Sequence, residues 1–433
     1  MCRFFSTKTY AVFLLWAGAG FALAGAAHAD NTEKVIGNFR NPGGYSASPL
    51  ISDAAGNLFG AAEGSAVSPP CPPSCGEVFE LIRGAEGRFK YRVLYVFQGD
   101  GDGANPEGHL TFDAAGNLYG TTRGGGTGSC SGALCGTVFE LSPTVSGYWK
   151  ETVLYSFSNA SGYLPTSGVI FDSAGNLFGT ALAGGSPPDP LLVGVVFQLT
   201  PSGTGWTESI IHTFTDAPDG AYPWGLKPDG DGNFWGVTDY GGNATACSFG
   251  CGTVYEITPT TFGGWNYSLI YNFQGGLDGI APVGDLIFDV AGNIYGTTSQ
   301  GGRSPCATYT CGTVFELTKS SAGSWTEQVL YHFQGAPDAS YPLSGLVLNE
   351  TGNLYGTTYY GGVGACGGCG TVFELSPSSG GGWTETILHS FDPTAFDGAH
   401  PLAALIFGPE GRLYGTTLQG GLKGVGVIFG IKP

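Results

Sequence analysis

Five aspartates recur in one phrase, Asp-[Gly/Ala]-x-x-Pro, at Asp102, Asp219, Asp278, Asp338 and Asp397. Carboxylates gathered on one face could bind a cation, a basic partner or the hydroxyls of a glycan. The plainer role is structural, because an Asp side chain accepts hydrogen bonds from nearby backbone amides and so builds turns. The stretch from Asp216 to Gly242 departs most from its counterparts elsewhere in the chain. There Trp224 follows the loop proline, where other copies have Glu, Thr, Val or Leu. Lys227 and Pro228 interrupt an apolar run, and Asp239-Tyr240 precede a Gly-Gly pair. Asp219, Trp224, Asp239 and Tyr240 therefore form the first candidate binding group, an aromatic surface beside carboxylates. Asp102, Asp278, Asp338 and Asp397 are the secondary candidates.

Catalytic patterns are missing. Six histidines are spread without a common partner, and His109 and His400 look isolated. No nucleophile elbow, HExxH or phosphate-binding glycine loop stands out from 77 glycines. Asp229 to Asn233 resembles the start of a calcium loop but lacks the later ligands and the bidentate Glu. The expectation is no catalytic residue, no metal site and no cofactor, with calcium the single ion left open. A Glu recurs at Glu80, Glu140, Glu256, Glu316 and Glu374, and a Trp at Trp149, Trp206, Trp265, Trp325 and Trp383. Both series fit packing and hydrogen bonding better than chemistry.

The elements that must hold these residues are repeats. Gly-Asn-Leu-Tyr-Gly-Thr-Thr and its variants start at Gly56, Gly116, Gly175, Gly232, Gly292, Gly352 and Gly411, about 59 residues apart. Each unit holds four β-like runs, rich in β-branched and aromatic residues and bounded by Gly, Pro, Asn and Ser. With 13% aromatic and only 12% charged residues, the chain can bury a large core and has little helix propensity. Four strands repeated seven times predict an all-β, seven-bladed β-propeller with four antiparallel strands per blade. Lys34 to Phe39 matches the fourth run, while Gly426 to Ile431 matches the third. The N-terminal strand should therefore complete the last blade and leave no open edge.

The compartment is also legible. Arg3 and Lys8 precede an apolar stretch, and Ala27-His28-Ala29 has the form of a signal-peptidase site, predicting a signal peptide over residues 1–29. A single propeller domain then spans 30–433. Ten cysteines remain, in five close pairs: Cys71/Cys75, Cys130/Cys135, Cys247/Cys251, Cys306/Cys311 and Cys366/Cys369. Varied spacing without nearby histidine argues for disulfides over metal, and for an extracellular or periplasmic location. The net charge of −18 disfavours nucleic acid and acidic membranes as partners.

The recurring Gly-Asn-Leu-Tyr-Gly-Thr-Thr-x-x-Gly-Gly, Cys-Gly-Thr-Val-Phe-Glu-Leu and Tyr-x-Phe phrases, nearly complete over Gly292 to Phe333, resemble the Gloeo/Verruco (GloVer) tandem-repeat family of exported bacterial proteins. The resemblance covers essentially the whole chain after residue 29. It implies an extracellular repeat protein with no established activity, and this chain ends at Pro433 without the anchoring tail of some members. The function expected is a non-enzymatic binding or scaffold module, monomeric, acting through one loop-rich, acidic, disulfide-stapled face on a glycan or surface protein. The alternative is a secreted carbohydrate-acting hydrolase or lyase using carboxylates on that face.

Overall fold

The computed structural model describes residues 33–39, 48–64, 71, 74–130, 135–185, 193–203, 205–303, 311–364 and 366–433. The predicted signal peptide and Cys306 lie outside the described residues.

Seven four-stranded antiparallel blades surround an axis, as the repeats predict. We call the strands of a blade a to d, from the axis outwards. Blade four shows them whole: Ala221–Pro228, Phe234–Tyr240, Thr253–Pro259 and Trp265–Asn272. In blade seven, strand d is Lys34–Asn38, paired antiparallel with Val427–Ile431. The first strand thus closes the ring with the last, and the two chain ends share one blade. Strand a of blade four shifts register between Trp224 and Lys227. Blade five shifts at the same place, between Val283 and Ile287. The interruption read at Lys227 and Pro228 is therefore not peculiar to blade four.

The motif residues have packing roles. The Gly of Leu-Tyr-Gly-Thr-Thr lies opposite the Phe of strand c, as in Gly296↔Phe315. A Cβ at Gly296 would sit 2.5 Å from that ring, so only glycine leaves room for it. The second Thr bonds the Thr that opens strand c, at 2.8 Å for Thr298 and Thr313. These hydroxyls are buried, and the pairing satisfies both. The blades meet through aromatic rings. A Phe after strand d packs edge-on against strand c of the next blade, as in Phe97–Phe139, Phe273–Phe315 and Phe391–Phe429, each at 5.1 Å. Phe39–Phe79, at 5.6 Å, repeats this contact between blades seven and one. The Trp that opens strand d also packs on the neighbouring blade: Trp265 touches Phe178, and Trp325 touches Trp235. In strand c, Glu316 accepts from the Tyr295 hydroxyl, and Glu374 accepts from Asn353 and Tyr355.

Four predicted disulfides are present: Cys71–Cys75, Cys130–Cys135, Cys247–Cys251 and Cys366–Cys369. Such bonds belong to an oxidising compartment. The fifth predicted pair, Cys306–Cys311, is described at one end alone. Cys311 is buried just before strand c of blade five, where Cys251 and Cys369 stand in blades four and six. Its predicted bond to Cys306 lies outside the described residues. Among the described residues, no helix is long and apolar enough to cross a membrane.

Candidate functional site in the axial cavity

The b–c and d–a connections emerge at one end of the propeller. Strand b finishes there, and strand a begins there. Between these strand ends lies an axial cavity of about 430 Å³, within the size range that holds one small organic ligand.

Two positions per repeat build much of its wall. One is the residue after the loop proline: Glu107, Thr166, Trp224, Val283, Leu343 and Leu402 all line the cavity. The other directly follows the two residues at the Thr-Thr position of strand b. Here the seven blades carry Glu63, Arg123, Leu182, Asp239, Ser299, Tyr359 and Leu418. Glu63, Arg123, Asp239 and Ser299 of this set face the cavity, joined by Tyr240, His109, Asp285 and Tyr341. The repeats are therefore most unlike one another where they converge.

Backbone contact narrows the axis. His109 bridges to Gly168 across the seam of blades two and three. A Cβ at Gly108 would lie 2.0 Å from the Gly168 nitrogen, and one at Gly225 would lie 1.9 Å from Asp285 Oδ1. Glycine at 108 lets two inner strands touch, and glycine at 225 leaves room for the Asp285 carboxylate.

The wall is ionisable and unevenly satisfied. Arg123 Nη1 donates to Glu107 Oε1 at 3.0 Å. Glu63 stands near this pair, and its carboxyl is pushed up to about 8, by burial first and then by Glu107, against the pull of Arg123. Burial also raises Glu107 despite Arg123. Burial holds His109 below its ordinary value, with Asp285 opposing and Lys227 adding to the effect. Asp239 is pushed up to about 7 by burial alone, and its charge raises the neighbouring Tyr240 hydroxyl. Several buried polar atoms of the wall have no hydrogen-bond partner among the described residues: Thr166 Oγ1, Trp224 Nε1 and Arg123 Nε. Buried donors without partners are uncommon in a finished interior.

The structure divides the sequence candidates. Trp224, Asp239 and Tyr240 line the cavity together. Asp219 does not join them. It accepts from the amide and hydroxyl of Thr215 and lies 2.8 Å from His212 Nε2. Burial would raise its pKa, but these bonds outweigh burial and hold it low. The other four aspartates of the phrase also bind their own loops. Asp102 accepts from Tyr95, Gln98 and Gly99. Asp278 accepts from Tyr271 and Gln274, and Asp338 from Tyr331 and Gln334. Asp397 accepts from Asp392 and Gly398 and sits 2.8 Å from His389 Nε2. They form a ring of loop clasps, each accepting from its own loop or from the strand before it. Asp229 is likewise used by its turn, accepting from Asp231, Asn233 and Trp235.

Sequence reasoning missed Glu63, Glu107, Arg123 and Asp285, and it read His109 as isolated. The available signal was the column of unlike residues after Thr-Thr, in a motif otherwise nearly constant.

Closed blades of four antiparallel strands around an axial cavity define a seven-bladed β-propeller. The Gloeobacter/Verrucomicrobia repeat matches residues 18–189, 189–326 and 243–433, and the chain belongs to that family. No curated protein matches it in sequence. Among solved structures it is similar to a catalytically inactive virginiamycin B lyase from Staphylococcus aureus, solved with quinupristin. The two share 11% identity over 93% of this chain and 100% of the other, with a TM-score of 0.50. A putative glucose dehydrogenase from a Thermus species shares 15% identity over 76% of this chain and 94% of that one, with a TM-score of 0.43. At 11% identity the likeness to the lyase is one of fold.

Proposed function

We propose that the protein is an exported binding propeller that holds one small saccharide in its axial cavity and performs no chemistry on it. The observation that carries this reading is the asymmetric wall, with polar groups left unpartnered around a space of ligand size. Trp224 and Tyr240 offer flat apolar surface, the carboxyls of Asp239 and Glu63 accept hydroxyl hydrogens, and Thr166 and the Trp224 indole supply further polar contacts. A single wall Arg, already paired with Glu107, makes the cavity a poor host for anions.

The test is calorimetric titration of the disulfide-intact protein with a panel of neutral mono- and disaccharides. One member should bind saturably, and Trp224→Ala should weaken it at least about tenfold, or about 1.4 kcal/mol. Asp102→Asn, on the loop rim, should not. Binding that survives Trp224→Ala but fails in Asp102→Asn would return the site to the loop face. One feature favours a second reading: burial pushes the Asp239 carboxyl up to about 7, close to the pH at which an acid–base catalyst works best. Product analysis of the same mixtures separates the two, since released reducing ends or unsaturated products would establish catalysis.

A further inference from the structure

The cavity wall has an excess of acid. Glu63, Glu107, Asp239 and Asp285 face it, against Arg123 and a buried His109. Two of these acids have partners of opposite or convertible charge. Glu107 is bonded to Arg123, and Asp285 stands beside His109. Asp239 has neither. Its side chain accepts no hydrogen bond from a described residue, and burial is the one influence on its charge. The strand register sets Trp224 opposite Val237, two residues before Asp239 on the same strand. Tyr240 follows Asp239 directly and also lines the cavity. An uncompensated carboxylate bordered by two electron-rich rings is the arrangement that receives an organic cation. The carboxylate supplies the countercharge, and the ring faces supply cation–π attraction.

Thr166 gives an independent sign of a ligand. It is 8% exposed, lines the cavity, and its hydroxyl has no partner. The Trp224 indole nitrogen is in the same condition. These groups suit the oxygens of a molecule whose other end is cationic.

We infer that the natural ligand bears an ammonium group, seated between the Asp239 carboxylate and the rings of Trp224 and Tyr240. This rests on the reading of the cavity as a saccharide site and narrows it to amino sugars. Seating the cation costs no proton transfer when Asp239 is already ionised. When Asp239 is neutral, its proton passes to solvent as the ion pair forms.

The test compares glucosamine, glucose and N-acetylglucosamine by calorimetry at neutral pH. The three share a ring and differ in whether the substituent at one carbon is charged. Glucosamine should bind at least about tenfold tighter than the other two. Asp239→Asn should bring the three affinities together, and Tyr240→Leu should weaken glucosamine more than glucose. The second variant leaves the charge in place and guards against misfolding of the first. Equal affinity for the three sugars, or a preference that survives Asp239→Asn, overturns the ammonium proposal while keeping the cavity as a saccharide site. Absence of binding by all three overturns the ammonium proposal, and the wider neutral panel then decides the saccharide reading.

Discussion

Asp239 makes a quantitative prediction about stability. Its carboxyl ordinarily titrates at 3.8, and burial moves it to about 7. Between these values the folded chain holds a proton that the unfolded chain has released. The folded state is therefore favoured most on the acid side, and stability falls as pH rises from about 4 to about 7. Three decades of proton affinity would be worth about 4 kcal/mol at full strength. Asp239 borders a cavity open to water, and screening there leaves an expected loss of about 2 kcal/mol. Asn has nearly the same shape and does not titrate. Asp239→Asn should match the parent near about pH 4 and exceed it by about 2 kcal/mol near about pH 8. Urea unfolding of both proteins at several pH values, with disulfides intact, measures this directly. Other acids titrate in the same window, but the difference between the two proteins isolates one carboxyl. Parallel pH profiles for parent and variant would refute the reasoning, because they would show Asp239 to be fully hydrated in the folded state.

Three further outcomes follow from particular contacts. Deleting residues 33–39 removes strand d of blade seven and the Phe39–Phe79 contact, so the melting temperature should fall by at least about 10 °C, read by circular dichroism; unchanged melting would show that the N-terminal strand does not close the ring. Glu385, raised to about 8 by burial and by Asp338, should lose its stabilising proton as pH rises from about 5 to about 8. Glu385→Gln should then be more stable than the parent at about pH 9, by about 1 kcal/mol after screening, and urea midpoints that coincide there would count against a neutral Glu at that seam. Gly108→Ala drives a methyl into the Gly168 backbone and should cost about 1–3 kcal/mol, whereas Gly225→Ala meets the free end of the Asp285 side chain and should cost less; equal urea midpoints for the two variants would count against a backbone contact at the axis.

The fold was legible because its determinants are local and repeated. The Gly opposite Phe, the paired threonines and the Asp of the a–b turn recur in a readable motif. Asp113, for example, accepts from Ala115 and Asn117 within five residues. Closure was legible from the orphan strand at each end. The site was legible in part. Trp224, Asp239 and Tyr240 drew notice because one repeat gathers all three. Glu63, Glu107 and Arg123 escaped notice because each, taken singly, resembles ordinary drift within its own repeat. The salt bridge at 3.0 Å lies within blade two, but the acid it influences comes from blade one. Strand alternation alone does not reveal that convergence. The five Asp of the loop phrase allowed two readings, turn builders or a ring of ligands, and the structure shows the first. Regularity is what a structural clasp requires, since each seam must be held in the same way.

This contrast explains why the axis can carry a site at all. Most motif positions face a neighbour that repeats with them. Gly296 is fixed by Phe315, Thr298 by Thr313, and Phe333 by Phe373 in the next blade. A change at any of these creates a clash, an unpaired hydroxyl or a cavity, and each carries a stability cost. The residue after Thr-Thr has no such partner when it faces the axial space. It can be Glu63, Arg123, Asp239 or Ser299 without disturbing the blade that bears it. The sevenfold scaffold is thus held by positions that must agree. Its chemistry is confined to positions that are free to differ, and a small ligand meets several of those at once only on the axis.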